Sequence, residues 1–366
     1  MGVDTSRAVP EPEPGNAPQA HPHGFPRAQF GPPLTQGVGS ERAFDGRVPR
    51  FAFLLLVVAL AGCGSGRASE SREEPRIHAL PLDGIAPGTL TLPNANRSIK
   101  FAVIGDSGRG SKEQHEVAQQ MVLYRQRFGF EFVLMAGDNI YEGPATAEDY
   151  RLKFEEPYKG LLDAGVKFYA ALGNHDDTNQ IFYKPFNMGG ERYYTFVPPV
   201  DPITRWDTRV RFFAIDSAYL TRDQLRWIAK ETTESRAEWK IAFLHHPLYT
   251  SGRYTLAARG MRLALESTLV NGGVDVVFTG HEHIYQRMNL QSGVLYFVTG
   301  GAGSLRAGDA RPASIVARSY DRDYHFMLAE LSDDGFFFQA INRLGETVDA
   351  GSMVRPAATE GTARRR

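Results

Sequence analysis

The sequence predicts a mixed α/β layered domain, and three observations carry that prediction. From Ile99 onward, apolar runs of strand length alternate with amphipathic stretches of helix length. Five of those runs end directly in a short polar cluster, the place where loops of an open α/β sheet gather functional groups. Near the end of the chain the alternation stops, and two apolar runs joined by Ser332-Asp-Asp-Gly335 take the pattern of an antiparallel hairpin.

The N-terminal region precedes this body. Residues 1–46 are rich in Pro, Gly and Ala without apolar periodicity, so they read as a disordered or mis-assigned extension, with translation expected to start between Phe44 and Val48. Arg47 and Arg50 then flank the run Phe51–Gly62. As a helix that run spans about 18 Å, short of the roughly 30 Å bilayer core, which is the layout of a signal-peptide apolar region over 47–63. Cys63 is the sole cysteine, so no internal disulfide framework exists. Leu60-Ala-Gly-Cys63 resembles the bacterial lipobox, which implies lipidation at Cys63 and an exported, membrane-anchored chain on the periplasmic or extracellular face. A signal peptide with an incidental cysteine and an uncleaved anchor are the alternatives. Residues 64–96 are polar and turn-rich and are expected to form a flexible linker.

Within the body (97–350), strands are expected at Ile99–Ile104, Phe132–Ala136, Phe168–Leu172, Val210–Ile215, Lys240–Leu244, Val274–Thr279 and Val294–Thr299. Helices are expected between them, at Lys112–Phe128, Ala147–Ala164, Thr221–Ser235 and Leu256–Asn271. Thr221 caps the third helix, placing Leu225, Ile228 and Ala229 on its buried face. Phe326–Leu331 and Gly335–Asn342 form the hairpin, and residues 351–366 read as a disordered tail. A formal net charge of -1, with 42% hydrophobic and 23% charged residues, suits one large domain and gives no electrostatic case for nucleic acid as a general partner. The arginines at 364–366 read as a solvated end.

The five clusters are Asp106-Ser-Gly108, Gly137-Asp-Asn-Ile-Tyr141, Gly173-Asn-His-Asp176, His245-His-Pro247 and Gly280-His-Glu-His283. Taken alone, a Gly-Asp after a strand is a turn whose aspartate bonds its own backbone. Five in order at strand ends supply carboxylates, an amide, a phenol and imidazoles in numbers that suit two metal ions. The i, i+2 pair His281 and His283 would line one face of a continued strand; if the chain turns there, both can still reach one centre.

This ordered series resembles the calcineurin-like metallophosphoesterases. Tyr141, three residues after Asp138, narrows the resemblance to the purple acid phosphatase branch, and the second and third clusters are similar to the tartrate-resistant type. The resemblance covers about Ile99 to Asn342. It implies a four-layer α/β/β/α sandwich of two mixed sheets. It also implies one metal held by Asp106, Asp138, Tyr141 and His283, and a second held by Asp138, Asn174, His245 and His281. Phenolate and carboxylates suit Fe(III) at the Tyr141 site, whereas amide and imidazole suit a divalent Fe, Mn or Zn at the other. The alternative for Tyr141 is a packed aromatic at the edge of the site. Small phosphomonoesters are the implied substrates, cleaved by an activated hydroxide at mildly acidic pH, with Asn174 and His175 contacting substrate and His175 orienting the phosphate or protonating the leaving oxygen. A phosphodiesterase or nucleotide hydrolase on the same core, and a non-catalytic metal-binding lipoprotein, are the competing readings.

The chain departs from the family pattern around the fourth cluster. Ala242 stands where the family usually has Val, and Tyr249-Thr-Ser-Gly-Arg-Tyr254 replaces the outer histidines of many members. Arg253 is either a bidentate phosphate ligand or a solvated loop cation. His246 is expected off the ligand set, because adjacent strand residues point to opposite faces. Gly300-Gly-Ala-Gly303 is expected to be a tight loop after a strand, without a phosphate-cradling helix start.

Overall fold

The structure is a computed structural model that describes residues 74–198 and 209–355. The expected extension 1–46, the signal segment 47–63 with Cys63 and the last residues of the tail lie outside the described residues. In chain order the strands are β1 Arg76–Ala79, β2 Ile99–Ile104, β3 Phe132–Ala136, β4 Lys167–Ala171, β5 Tyr194–Phe196, β6 Val210–Ile215, β7 Trp239–Leu244, β8 Val276–Thr279, β9 Tyr285–Met288, β10 Leu295–Thr299, β11 Val316–Tyr320, β12 His325–Ser332, β13 Gly335–Asn342 and β14 Thr347–Val354. The α-helices are α1 Lys112–Phe128, α2 Ala147–Tyr150, α3 Lys159–Asp163, α4 Arg222–Glu234 and α5 Thr255–Asn271. None of the described helices is long and apolar enough to cross a membrane.

The strands form two seven-stranded mixed sheets, ordered β1-β14-β13-β12-β2-β3-β4 and β11-β9-β10-β8-β7-β6-β5. The parallel runs β2-β3-β4 and β6-β7-β8-β10 carry the site loops. Their sequences are predominantly apolar because both faces are covered, with Lys or Arg only near the strand starts (Lys100, Lys167, Arg211 and Lys240). In β2, Phe101 and Val103 pack between the sheets, whereas Ala102 and Ile104 pack outward with Val117, Met121 and Tyr124 of α1. A third cluster joins Ala242 of β7 and Val277 of β8 to Ile228 of α4 and Leu265 and Leu269 of α5. Three hydrophobic interfaces separate four layers, so the expected α/β/β/α sandwich is the observed fold. Helix α1 is set by its ends: the Ser111 side chain accepts from the Gln114 amide, and Gly129 closes the helix in the left-handed conformation.

Several expectations are corrected. The linker ends before Arg76: β1 pairs antiparallel with β14, Leu92 is buried, and the amides of Asn94 and Ala95 donate to the Glu330 carboxylate at 2.8 and 2.7 Å. This polar segment covers the edge of a sheet, a role set by main-chain pairing and not by apolar periodicity. At the other end, β14 continues to Val354, past the expected start of the tail. The helix expected over Ala147–Ala164 breaks into α2, a π-helical turn Arg151–Glu155 and α3, because Pro157 has no amide to donate. On α4, Thr221 caps and Ile228 is buried, but Ala229 is exposed; Gln224 is buried instead, its side chain accepting from the Asp216 amide at 2.9 Å. Strands β5, β9, β11 and β14 have no counterpart among the expected runs. Strand β9 carries buried Gln286 and Arg287, the latter paired with Asp349 of β14 at 2.7 Å.

Candidate metal centre

Every cluster begins where a parallel strand ends: Asp106 after β2, Asp138 after β3, Asn174 after β4, His245 after β7, and His281 after β8. Asp106, Asp138 and His281 hold φ of 55°, 51° and 68°, in the left-handed region that non-glycine residues avoid. Such conformations persist where surrounding structure enforces them, commonly at functional sites. The chain passes so closely here that a Cβ at Gly173 would collide with the Asp138 carboxylate.

The ligand-type atoms fall into two groups. In the first, Asp106 Oδ1 lies 3.1 Å from Tyr141 Oη and 3.3 Å from His283 Nε2, and those two atoms are 3.2 Å apart. In the second, His245 Nε2 lies 3.0 Å from Asn174 Oδ1, 3.2 Å from His281 Nδ1 and 3.4 Å from Asp138 Oδ1. Asp106, Asp138 and His245 each offer a ligand atom within 4.8 Å of the others, which sets Asp138 where the two groups meet. His245 Nδ1 sits 2.9 Å from the Ala136 carbonyl, the arrangement that leaves Nε2 to face the centre as a lone pair.

Electrostatics point the same way. Burial pushes Asp106 up to about 7, against the pull of His245 and with a push from Asp138. For Asp138 burial also acts upward, but His245 and the His175 amide outweigh it and hold the carboxyl below its usual range. Burial, Asp106 and Asp138 drive the Tyr141 phenol far above its ordinary value. Burial and neighbouring positive groups lower His281 to about 2 and His283 to about 3, so both imidazoles are neutral donors at pH 7. Two buried carboxylates and a phenol crowded against neutral imidazoles favour a cation among them, so the residues fit the metals that the fold implies. The first group is oxygen-rich and the second nitrogen- and amide-rich.

The chain turns over Gly280–Ile284, and this sends His281 to the second group and His283 to the first, so they do not share a strand face. His175 is exposed at the rim, its amide donating to Asp138 Oδ1 at 3.0 Å and its ring 5.0 Å from that of Tyr141. His246 lies nearer than strand alternation predicts, because β7 has ended at Leu244. Its ring is 4.5 Å from that of His281, it offers a ligand atom to a cluster with His245 and His281, and its Nδ1 is 3.0 Å from Ser217 Oγ. Burial lowers it to about 3. Arg253 is not brought into either group; its Nε pairs with Asp309 at 3.2 Å. Glycines 300, 301 and 303 fill a close-packed loop, where a Cβ would meet Asp106, His325 and Ser107 respectively.

Asp176 and Glu282 stand inside the third and fifth clusters, but the sequence reading gave them no role, and Arg109 lay outside it. The Asp176 carboxylate accepts from the amides of Asn139, Ile140 and Gly173 at 2.8, 3.0 and 2.7 Å, joining the second and third clusters. Burial and the Asp138 charge push Asp176 up to about 7 against those donors. Glu282, fully buried, accepts from the amides of Arg253 and Tyr254 and so ties the loop after β7 to the fifth cluster. The Arg109 guanidinium lies 3.5 Å from the centre of the Tyr141 ring. Lone polar residues beside clusters carry no sequence signal that separates them from ordinary turns.

Two mixed sheets under flanking helices, with carboxylates and imidazoles converging at the strand ends, define a metal-dependent hydrolase. The profile of the calcineurin-like phosphoesterases matches residues 99–285, and the chain belongs to that family. It is related to the purple and tartrate-resistant acid phosphatases. Purple acid phosphatase 17 of Arabidopsis thaliana is 29% identical over 246 residues, covering 60% of this chain and 72% of the relative. Tartrate-resistant acid phosphatase type 5 of Mus musculus is 24% identical over 280 residues, covering 68% and 83%. Among solved structures, purple acid phosphatase PPD1 from yellow lupin seeds shares the fold with a TM-score of 0.55 at 16% identity, over 72% of this chain and 55% of that one. GAP50, described as the anchor in the inner membrane complex of Plasmodium, does so with a TM-score of 0.60 at 17% identity, over 72% and 91%.

Proposed function

We propose that this chain is a phosphomonoesterase working through two metal ions. The observation that carries the reading is the division of seven ligand-type side chains into two groups that meet at Asp138. Asp106, Tyr141 and His283 would hold one ion, Asn174, His245 and His281 the other, and Asp138 both. Fe(III) is proposed beside Tyr141, with Fe, Mn or Zn in the second position. When bound, the ions supply Lewis acidity toward phosphate oxygens and a water whose proton is lost near neutral pH. The protein's own part is to position and to move protons. His245 is fixed through the Ala136 carbonyl, and Asp176 locks the loops bearing Asp138, Tyr141 and Asn174. His175, exposed on the rim, orients the phosphate or gives a proton to the leaving oxygen. We further propose that the chain is exported and tethered to a membrane by a lipid at Cys63.

Turnover of a nitrophenyl monoester against a bis-nitrophenyl diester tests the substrate class; strong diester preference would replace this reading with a phosphodiesterase. A visible absorption band that vanishes in Tyr141→Phe supports iron beside the phenolate. A colourless, fully active two-zinc protein would remove iron from the proposal.

A further inference from the structure

We propose that Arg306 is the cation that receives the substrate phosphate at the rim of this centre, and that it sets a preference for dianionic monoesters over monoanionic diesters. The inference rests on the phosphomonoesterase reading and adds the residue that recognises the second charge.

Arg306 lies in the loop after β10, and that loop is strapped onto the fifth cluster. Its amide donates to the His283 carbonyl at 3.0 Å, and its Nη1 reaches the His281 carbonyl at 3.5 Å. The guanidinium stands 5.5 Å from the centre of the Tyr254 ring, which in turn packs 4.3 Å from the ring of His281. The side chain therefore sits over a residue of the second ligand group, while its main chain is tied to the first.

The neighbouring arginines are already engaged. Arg109 lies on the Tyr141 ring with Nη1 3.7 Å from Glu142, and Arg253 pairs with Asp309 at 3.2 Å. Among the described residues Arg306 forms no ion pair with a carboxylate, although it is half-buried. A half-buried guanidinium with spare donors, held beside a site that binds anions, is suited to a phosphate oxygen. Arg253 then acts as a positioning residue. Its partner Asp309 donates its amide to the Arg306 carbonyl at 3.3 Å, and its own amide is held by Glu282 at 3.1 Å, so the ion pair staples the Arg306 turn to the loop after β7.

The selectivity follows from charge. A phosphate monoester loses its second proton near pH 6 and is mainly a dianion at pH 7, whereas a diester carries one charge. A cation beyond the metals favours the extra charged oxygen.

The test compares the metal-loaded full chain with Arg306→Gln and Arg306→Lys at pH 7, after metal content and thermal melts are shown to match. Arg306→Gln is expected to lower kcat/KM for nitrophenyl phosphate about 10- to 100-fold, with a clearly smaller loss for the bis-nitrophenyl diester. Inhibition by inorganic phosphate should weaken in parallel, and Arg306→Lys should recover part of both. Equal losses for the two esters, or unchanged phosphate inhibition, would overturn the assignment. A wild-type protein that holds its metals and cleaves neither ester defeats the phosphomonoesterase reading. Calorimetric binding of inorganic phosphate then decides Arg306 separately: weaker binding in Arg306→Gln supports it and equal binding refutes it.

Discussion

Replacing Asp176 with alanine removes the acceptor that joins the two loops carrying Asp138, Tyr141 and Asn174. Five hydrogen bonds are lost: those from the amides of Asn139, Ile140 and Gly173, and those from the side-chain nitrogens of Asn139, which keeps the Ala171 carbonyl, and Gln180 at 3.0 and 2.9 Å. An orphaned buried donor costs about 1–3 kcal/mol, so the three main-chain amides alone set a floor of about 3 kcal/mol. The low end of that range applies because Asp176 is half-buried and water can enter the space left by the carboxylate. Loosening residues that orient metal ligands typically lowers metal affinity 10- to 100-fold, roughly the loss expected here. Urea unfolding should show a lower midpoint with an unchanged slope, and chelator competition should show the weakened metal binding. Asp176→Asn, which keeps one acceptor oxygen but turns an NH2 toward the amides, should fall between wild type and Asp176→Ala. A midpoint shift worth less than about 0.5 kcal/mol, together with unchanged metal affinity, would refute the reasoning.

Two further outcomes follow from buried polar groups away from the centre. Asp349→Ala strips Arg287 of its buried partner, which also accepts from Tyr285 Oη at 2.8 Å, and should cost about 3–5 kcal/mol in urea unfolding; adding Arg287→Met should recover part of that loss. His325 is fully buried, neither ring nitrogen has a hydrogen-bond partner among the described residues, and burial lowers it from 6.5 to about 3. Between those values the unfolded chain takes up a proton that the folded chain refuses, so the contribution of His325 to stability is present above pH 6.5 and is lost as pH falls toward 3. The melting temperature of His325→Phe should therefore gain on that of wild type as the pH is lowered through this window, and a constant difference would contradict the assignment.

The fold was readable from the sequence where both faces of a strand are buried, because β2, β3, β6 and β7 are then predominantly apolar. It was unreadable where polar residues are buried for reasons distant in sequence. Strand β9 buries Gln286 and Arg287 on opposite faces because Ser251 meets the first and Asp349 the second. Strand β1 and the segment to Asn96 form through pairing with β14 and Glu330, which leaves no periodicity to read. At the centre, the clusters announced their chemistry because glycine, carboxylate and imidazole recur at each strand end. The side chains that hold them did not: Asp176 follows Gly-Asn-His like any turn aspartate, and Glu282 sits between two histidines without a signature of its own. The separation of His281 from His283 depends on a single left-handed residue, and His246 approaches the centre because β7 ends one residue before His245.

Metal stoichiometry measured together with monoester turnover, in wild type and in Asp138→Ala, tests the dinuclear centre most directly. Two ions per wild-type chain are predicted, with both metal and turnover lost when the carboxylate where the two groups meet is removed. Full turnover in purified Asp138→Ala, or in a chain freed of metal, would contradict it.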